Sequence, residues 1–350
     1  RTQGVSSTEI RSSKKLRCGL VGYTDYIDRV YAECALVNGL EVAAVCAEDC
    51  SMLGEGPLGV PLVTADYDEM LGVVDAVFVY SHPDRHCGQV RRALEAGKHV
   101  MCEAPMAKSA EECDELFALA DELGLVLMDS LRTAYSTAYA RMLLLIAGGR
   151  IGDVVSVDAT CTSMRTNKPP FAGRRDMAWS SMAAWAPTAL LPVFQILGTR
   201  PDRVRVASLC EGGDRTFDKF SQVTLDYPVA VATAKVGAGA KSEGSLVVSG
   251  TKGYVYVPAP WWKTDYFEIR YEDPADNRRY FYQLDGEGIR FEWVSFLRMI
   301  AAVAEGATGE EALRREGGID RDVTRATCEV IGAFERGEGV RYLKTGVEQR

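Results

Sequence analysis

The sequence predicts an α/β protein in two parts: a doubly wound parallel sheet, then an α+β domain built on a large, mainly antiparallel open sheet. Three observations predict it. From Leu16 to about Gly148, short apolar runs alternate with amphipathic stretches, and the strand-like runs are nearly continuous in apolar residues. That pattern belongs to parallel strands covered on both faces. The pattern changes near Gly149, and from Asp202 to Tyr282 strand-like segments follow one another with few long helices between them.

In order, Leu16–Gly22 is a strand ending in glycine, Tyr26–Leu40 has helical spacing, and Val42–Cys46 is a second strand. Asp75–Tyr80 is a third, followed by a helix through Ala96 and a short strand at His99–Cys102. Ser109 and Glu112 have capping-box spacing at the start of a helix to Leu123. Leu125–Met128 completes the first set. Asp153–Thr162 alternates as a long strand, and Ser181–Leu197 is helical in composition although Pro187 and Pro192 interrupt it. Further strands are expected at Val204–Leu209, Phe220–Tyr227, Val229–Val236, Gly244–Val248, Gly253–Val257 and Tyr266–Tyr271, with closing helices at Phe291–Ala304 and Val323–Arg336. The division is a flexible tail at 1–15, a dinucleotide-binding-like domain at 16–148 and a substrate or oligomerisation domain at 149–350.

The chain has 350 residues and a net charge of −9. An acidic chain argues against nucleic acid as a partner, since phosphate binding needs clustered Lys and Arg. No membrane span is expected, nor is the polar, basic opening at Arg1 a signal peptide. The start on Arg rather than Met leaves room for a removed upstream segment. The ten cysteines are scattered, several of them inside apolar strands, which reads as buried free thiols in a cytoplasmic protein. Cys46 and Cys50 have no second pair nearby, so no metal site is expected. His82, His86 and His99 are the only histidines, so the second domain supplies no histidine base.

Four segments now point one way: Ser81–His86 (SHPDRH), Ala93–Pro105 (ALEAGKHVMCEAP), Gly149–Val154 (GRIGDV) and Gly250–Tyr254 (GTKGY). In this order and spacing the chain resembles the glucose–fructose oxidoreductase and inositol dehydrogenase family, Gfo/Idh/MocA, over nearly all of residues 16–340. The resemblance implies an N-terminal Rossmann domain, NAD or NADP as cofactor, sugar- or cyclitol-like substrates, and dimers or tetramers packed through the C-terminal sheet.

The chemistry that the resemblance implies is missing. Family enzymes carry Glu-Lys-Pro after the fifth strand, where this chain has Glu103-Ala104-Pro105. Their Asp and His, four residues apart on a helix of the second domain, fall on Ala184 and Thr188. Neither alanine nor threonine moves a proton near neutral pH. The cofactor loop is altered too. In place of G-x-G-x-x-G stands Gly22-Tyr23-Thr24-Asp25-Tyr26-Ile27, with a carboxylate where the helix dipole would attract phosphate. Asp25 as a plain helix cap is the structural reading. The ribose-binding acid falls on Ala47, with Glu48 one residue late.

What remains defines the candidate site. Gly22, Tyr23, Thr24, Glu48, Ser81, His82, Pro83, His86 and Glu103 are the candidate cofactor-side residues. His82, at a strand's carboxyl end, and Tyr135 are the candidate catalytic groups. His86 is expected to make a structural hydrogen bond. Arg132, Tyr135, Lys168, Trp185 and Thr188 are candidate substrate-side residues, with Arg174 and Arg175 near Lys168 in a basic loop. Trp185 and Trp179 flank the vanished acid–base pair and fill it or stack on a sugar. Trp261 and Trp262 read as packing, one in the core and one in an interface. Three functions stay open: a non-catalytic ligand-binding, regulatory or partner subunit, a divergent NAD(P)-dependent oxidoreductase, and a lyase or isomerase in the old cleft.

Overall fold

The computed structural model describes residues 14–22, 24–164, 176–212 and 215–344. Tyr23, Lys168, Arg174, Arg175 and tail residues 1–13 therefore lie outside the described residues. The first half runs β1 (Leu16–Val21), α1 (Tyr26–Cys34), β2 (Leu40–Cys46), α2 (Glu55–Leu58), β3 (Leu62–Thr64), α3 (Tyr67–Leu71), β4 (Ala76–Val79), α4 (Pro83–Glu95), β5 (His99–Glu103), α5 (Ala110–Glu122), β6 (Leu127–Ser130) and α6 (Thr137–Ala147). Its six strands are parallel in the order β3-β2-β1-β4-β5-β6, the doubly wound order.

The second half runs β7 (Val154–Thr162), α7 (Ser181–Leu197), β8 (Arg203–Cys210), β9 (Asp218–Asp226), β10 (Val231–Gly237), β11 (Leu246–Gly250), β12 (Gly253–Val257), β13 (Tyr266–Tyr271), β14 (Arg278–Phe281), α8 (Ile289–Ala304), α9 (Gly309–Arg315), α10 (Arg321–Glu335) and β15 (Val340–Tyr342). Its nine strands lie in the order β14-β13-β12-β11-β7-β10-β9-β8-β15. All neighbours are antiparallel except β10 with β7 and β15 with β8.

Several expectations shift. The first helix ends at Cys34 rather than Leu40, because Gly39 turns the chain with φ +84° and Leu40 opens β2. The sixth strand sits two residues later than expected, which puts Ser130 at its carboxyl end. Ser109 caps α5 by accepting from the Glu112 N–H at 3.1 Å, but the Glu112 carboxylate takes the Lys108 N–H, so the box is only half closed.

Helix α7 is unbroken through Pro187 and Pro192. Each proline removes a helical donor, which leaves the Ala183 and Thr188 carbonyls without their usual partners. The helix tolerates this because it is the buried helix of the second domain, packed on β7, β9 and β10. With the preceding turn it forms a segment, Met177–Leu197, long and apolar enough to cross a bilayer; here an apolar stretch of 18 residues within it is 67% buried in the fold. The helix has the bounds read from the sequence, Ser181–Leu197.

The last helices fold back onto the six-stranded sheet. Trp293 of α8 meets Phe78 of β4 edge-on at 5.9 Å. Gly332 lets α10 approach the loop after β5: a Cβ there would stand 1.7 Å from the Lys108 carbonyl oxygen. That contact helps fix the loop carrying Ala104.

Candidate functional site

The carboxyl ends of β1, β4, β5 and β6 face α7 across a cleft, where open α/β sheets bind ligands. Two cavities occupy it. The smaller, about 320 Å³, is lined by Thr24, Asp25, Tyr26 and Arg29 from the first turn, Phe78 and Tyr80 from β4, and Glu103 and Ala104 after β5. Ser130 to Thr133, Ser163, Trp262 and, from α7, Ala184, Trp185, Pro187 and Thr188 complete it. The three positions where the resemblance places proton-handling groups therefore converge, and they present two methyl groups and one hydroxyl.

The larger cavity, about 990 Å³, is lined among others by Gly22, Ala47, Glu48, Ser81, His82, Arg85 and Arg92. It lies at the carboxyl ends of β1, β2 and β4. Among the charges on its wall, Glu48 pairs with Arg85 and Arg92 with Asp68.

The pyrophosphate and nicotinamide ends fit a dinucleotide poorly. Thr24 is buried and its hydroxyl accepts from the Tyr26 N–H at 3.3 Å, so the side chain closes the turn where backbone should meet phosphate. Asp25 makes no capping bond, contrary to its reading as a plain cap, because its backbone is already helical (φ −58°, ψ −15°) and cannot aim the carboxylate at the first N–H groups. It stands exposed at the helix N-terminus. The Tyr26 and Tyr80 rings meet at 4.6 Å in the space beside Ala104.

The candidate catalysts lie elsewhere. His82 caps α4, its Nδ1 accepting from the Asp84 N–H at 3.2 Å, and its Nε2 lies 3.4 Å from Asp176. It lines the larger cavity only, with Trp179 edge-on at 5.2 Å. Tyr135 is in the core, its hydroxyl 3.5 Å from the Asp129 carbonyl oxygen, and burial pushes its pKa well up. It lines neither cavity.

Pro83 is the first residue of α4. His86 is fully buried, with Nδ1 2.8 Å from the Pro105 oxygen and Nε2 3.0 Å from the Ser81 oxygen; burial lowers its pKa. It ties the loop after β5 to the end of β4, the structural hydrogen bonding expected of it.

The structure brings together Thr24, Glu103, Arg132, Trp185 and Thr188 in one cavity and Gly22, Glu48, Ser81 and His82 in the other. Sequence reasoning missed Tyr26, Arg29, Ser130 and Trp262. Trp262 turns into the cavity wall beside Trp185, ring centres 4.9 Å apart, rather than into an interface. Trp261, fully buried, donates to the Thr160 oxygen at 3.0 Å. The two tryptophans sit in a turn after β12, where strand alternation does not apply.

Behind Ser130 lies Glu292 of α8, completely buried, both carboxyl oxygens 3.0 to 3.1 Å from the Ser130 hydroxyl. Burial pushes its pKa up to about 8, so it is largely neutral at pH 7. Nothing in the sequence pattern marked it, because Glu292 falls on the buried face of an ordinary amphipathic helix.

Residues 16–130 match the oxidoreductase family with an NAD-binding Rossmann fold. The pig (Sus scrofa) trans-1,2-dihydrobenzene-1,2-diol dehydrogenase is 27% identical over 233 residues, 63% of this chain and 67% of its own. A dTDP-3,4-didehydro-2,6-dideoxy-alpha-D-glucose 3-reductase from Streptomyces violaceoruber is 30% identical over 186 residues, 50% of this chain and 54% of its own. In fold, the chain is similar to KijD10, a 3-ketoreductase from Actinomadura kijaniata in complex with NADP and TDP-benzene, with a TM-score of 0.78 at 18% identity over 95% of this chain and all of that one. With its six-stranded parallel sheet and its open nine-stranded sheet, the chain is similar in fold and sequence to the Gfo/Idh/MocA oxidoreductases, and its residues 16–130 match that family's NAD-binding Rossmann model.

Proposed function

We propose that this member binds a small ligand in its cleft without transferring hydride, acting as a ligand-binding or regulatory subunit. The observation that carries this reading is the convergence of Ala104, Ala184 and Thr188 on one cavity that, among the described residues, no lysine or histidine lines. General acid–base catalysis needs a group within hydrogen-bond reach of the reacting atom, titrating near the working pH. His82 and Tyr135, the candidates for a divergent oxidoreductase, do not reach this space. The relatives named above are a dehydrogenase and reductases, and they speak for the fold and its origin rather than for lost activity.

What the cavity offers is recognition. Tyr26, Tyr80, Trp185 and Trp262 give it ring faces suited to a sugar, and Ser130, Thr133 and Thr188 give it hydroxyls. Purified protein mixed with NADH or NADPH and sugar-derived ketones should show no sustained loss of absorbance of the reduced cofactor. Steady turnover above the buffer rate would refute the reading.

Self-association through the open sheet is part of the same proposal. Its uncovered face carries Tyr254, Tyr256, Tyr266 and Phe281, with the Arg270 guanidinium 4.9 Å from the Tyr256 ring centre. Light scattering should give a multiple of the chain mass, and Phe281→Glu should lower it; a monomer in both cases would remove this part.

A further inference from the structure

One cluster at the small cavity has no place in the chemistry above. Three cations converge on one carboxylate. Glu287 Oε2 lies 2.9 Å from Arg29 and 3.3 Å from Arg132, and its Oε1 accepts from Lys263 at 2.6 Å. Arg29 and Arg132 line the cavity, and Lys263 follows Trp262, which lines it too. One carboxylate offsets one of three positive charges. The Arg132 Nη1 is buried with no hydrogen bond of good geometry, although Glu287 is near. The other acids on the cavity wall are Asp25 and Glu103.

Glu287 is also held awkwardly. Its backbone is left-handed at φ 53°, between Gly286 at 60° and Gly288 at 88°. A non-glycine residue there costs about 1–2 kcal/mol. Burial raises the Glu287 pKa, and the hydrogen bond from Lys263 with the charges of Arg132 and Arg29 more than offsets it. The carboxylate is therefore ionised and acts as a resident anion on a turn flanked by two glycines.

We propose that Arg29, Arg132 and Lys263 form an anion subsite of this cavity, and that Glu287 is its built-in occupant. A sugar-sized ligand carrying a phosphate or carboxylate displaces it. The inference rests on the ligand-binding reading of the cleft and adds to it the class of ligand. Exchange of one anion for another keeps the cations paired. Arginine suits this because its planar fork matches both phosphate and carboxylate. The aromatic walls take the ring.

The test is calorimetric titration of the full chain with glucose 6-phosphate, glucuronate and glucose. Glu287→Gln removes the competitor, and affinity for both anionic sugars should rise about tenfold. Arg132→Gln should weaken both at least about tenfold more than it weakens glucose. Glucose 6-phosphate tighter than glucuronate assigns a phosphate ligand, and the reverse assigns a carboxylate.

Unchanged or weaker anion binding by folded Glu287→Gln would overturn the subsite, as would absence of anion binding to either protein at millimolar concentration. If Glu287→Gln does not fold, the wild type in rising salt reads the same pairing. Glucose 6-phosphate affinity should then fall steeply while glucose affinity holds, and equal responses would overturn the proposal. Glucose binding without preference for the anions sinks the subsite and leaves the ligand-binding cleft standing. Tight anion binding together with turnover of NADPH sinks the non-catalytic reading and leaves the subsite.

Discussion

Glu292→Gln should stabilise the protein at pH 8 relative to the wild type and change little at pH 5. The Glu292 carboxyl is completely buried behind Ser130, and its pKa is pushed up to about 8 from an ordinary 4.5. In the unfolded chain it ionises near its ordinary value. Between those two values the folded state holds a proton that the unfolded state has lost. Stability from this group is thus fully present below about pH 4.5 and is lost as pH rises toward 8. Each pH unit in that window weakens the fold by up to about 1.4 kcal/mol, so about 4 kcal/mol separates pH 5 from pH 8.

Asp129, one residue before Ser130, adds to the slope. It too is completely buried, with a pKa pushed up by burial to about 7, and its Oδ2 accepts from Thr324 at 3.0 Å. Glutamine keeps the shape and the Ser130 contact but cannot ionise. Denaturant unfolding at a series of pH values should show the wild type losing stability across this range, with a shallower slope in Glu292→Gln. An equal slope in both proteins would mean that Glu292 is already ionised, paired with Arg132.

The order of elements was legible because the parallel strands are buried on both faces: β1, β2 and β4 are runs of Val, Ala, Leu and Cys with a turn signal on each side. The strands that escaped are β3, β14 and β15. Each has three or four residues and lies near or at a sheet edge, with half-buried or exposed side chains, so neither length nor alternation marks it. The losses of chemistry were legible because they are substitutions at fixed motif positions: Ala104 after Glu103, and Ala184 and Thr188 one helical turn apart. All three reach the same cavity.

The replacement chemistry was not legible. Arg29, Glu287 and Lys263 come from three distant segments, and only folding makes them neighbours. Tyr135 was misplaced by the same limit. Its motif neighbour Arg132 faces the cavity, but the short helical turn at Arg132–Tyr135 rotates Tyr135 into the core.

The second large effect concerns the first turn of the Rossmann domain. Where relatives present glycine backbone to pyrophosphate, this chain presents the buried Thr24 and the exposed, uncapping Asp25. A phosphate charge about 4 Å from that carboxylate would cost about 4 kcal/mol at an effective dielectric of 20. Exposure and salt reduce this, so Asp25→Asn should tighten dinucleotide binding by about tenfold rather than a thousandfold. Asparagine keeps the size of the side chain and removes its charge, so the variant isolates the electrostatic term.

We propose that the fold of a nicotinamide enzyme is kept here while its cofactor chemistry is not. The most direct measurement is a calorimetric titration of the purified wild type and of Asp25→Asn with NAD⁺, NADH, NADP⁺ and NADPH. No binding by the wild type at micromolar concentration, with gain of affinity in Asp25→Asn, is the predicted result. Micromolar binding of any of the four by the wild type would contradict the claim.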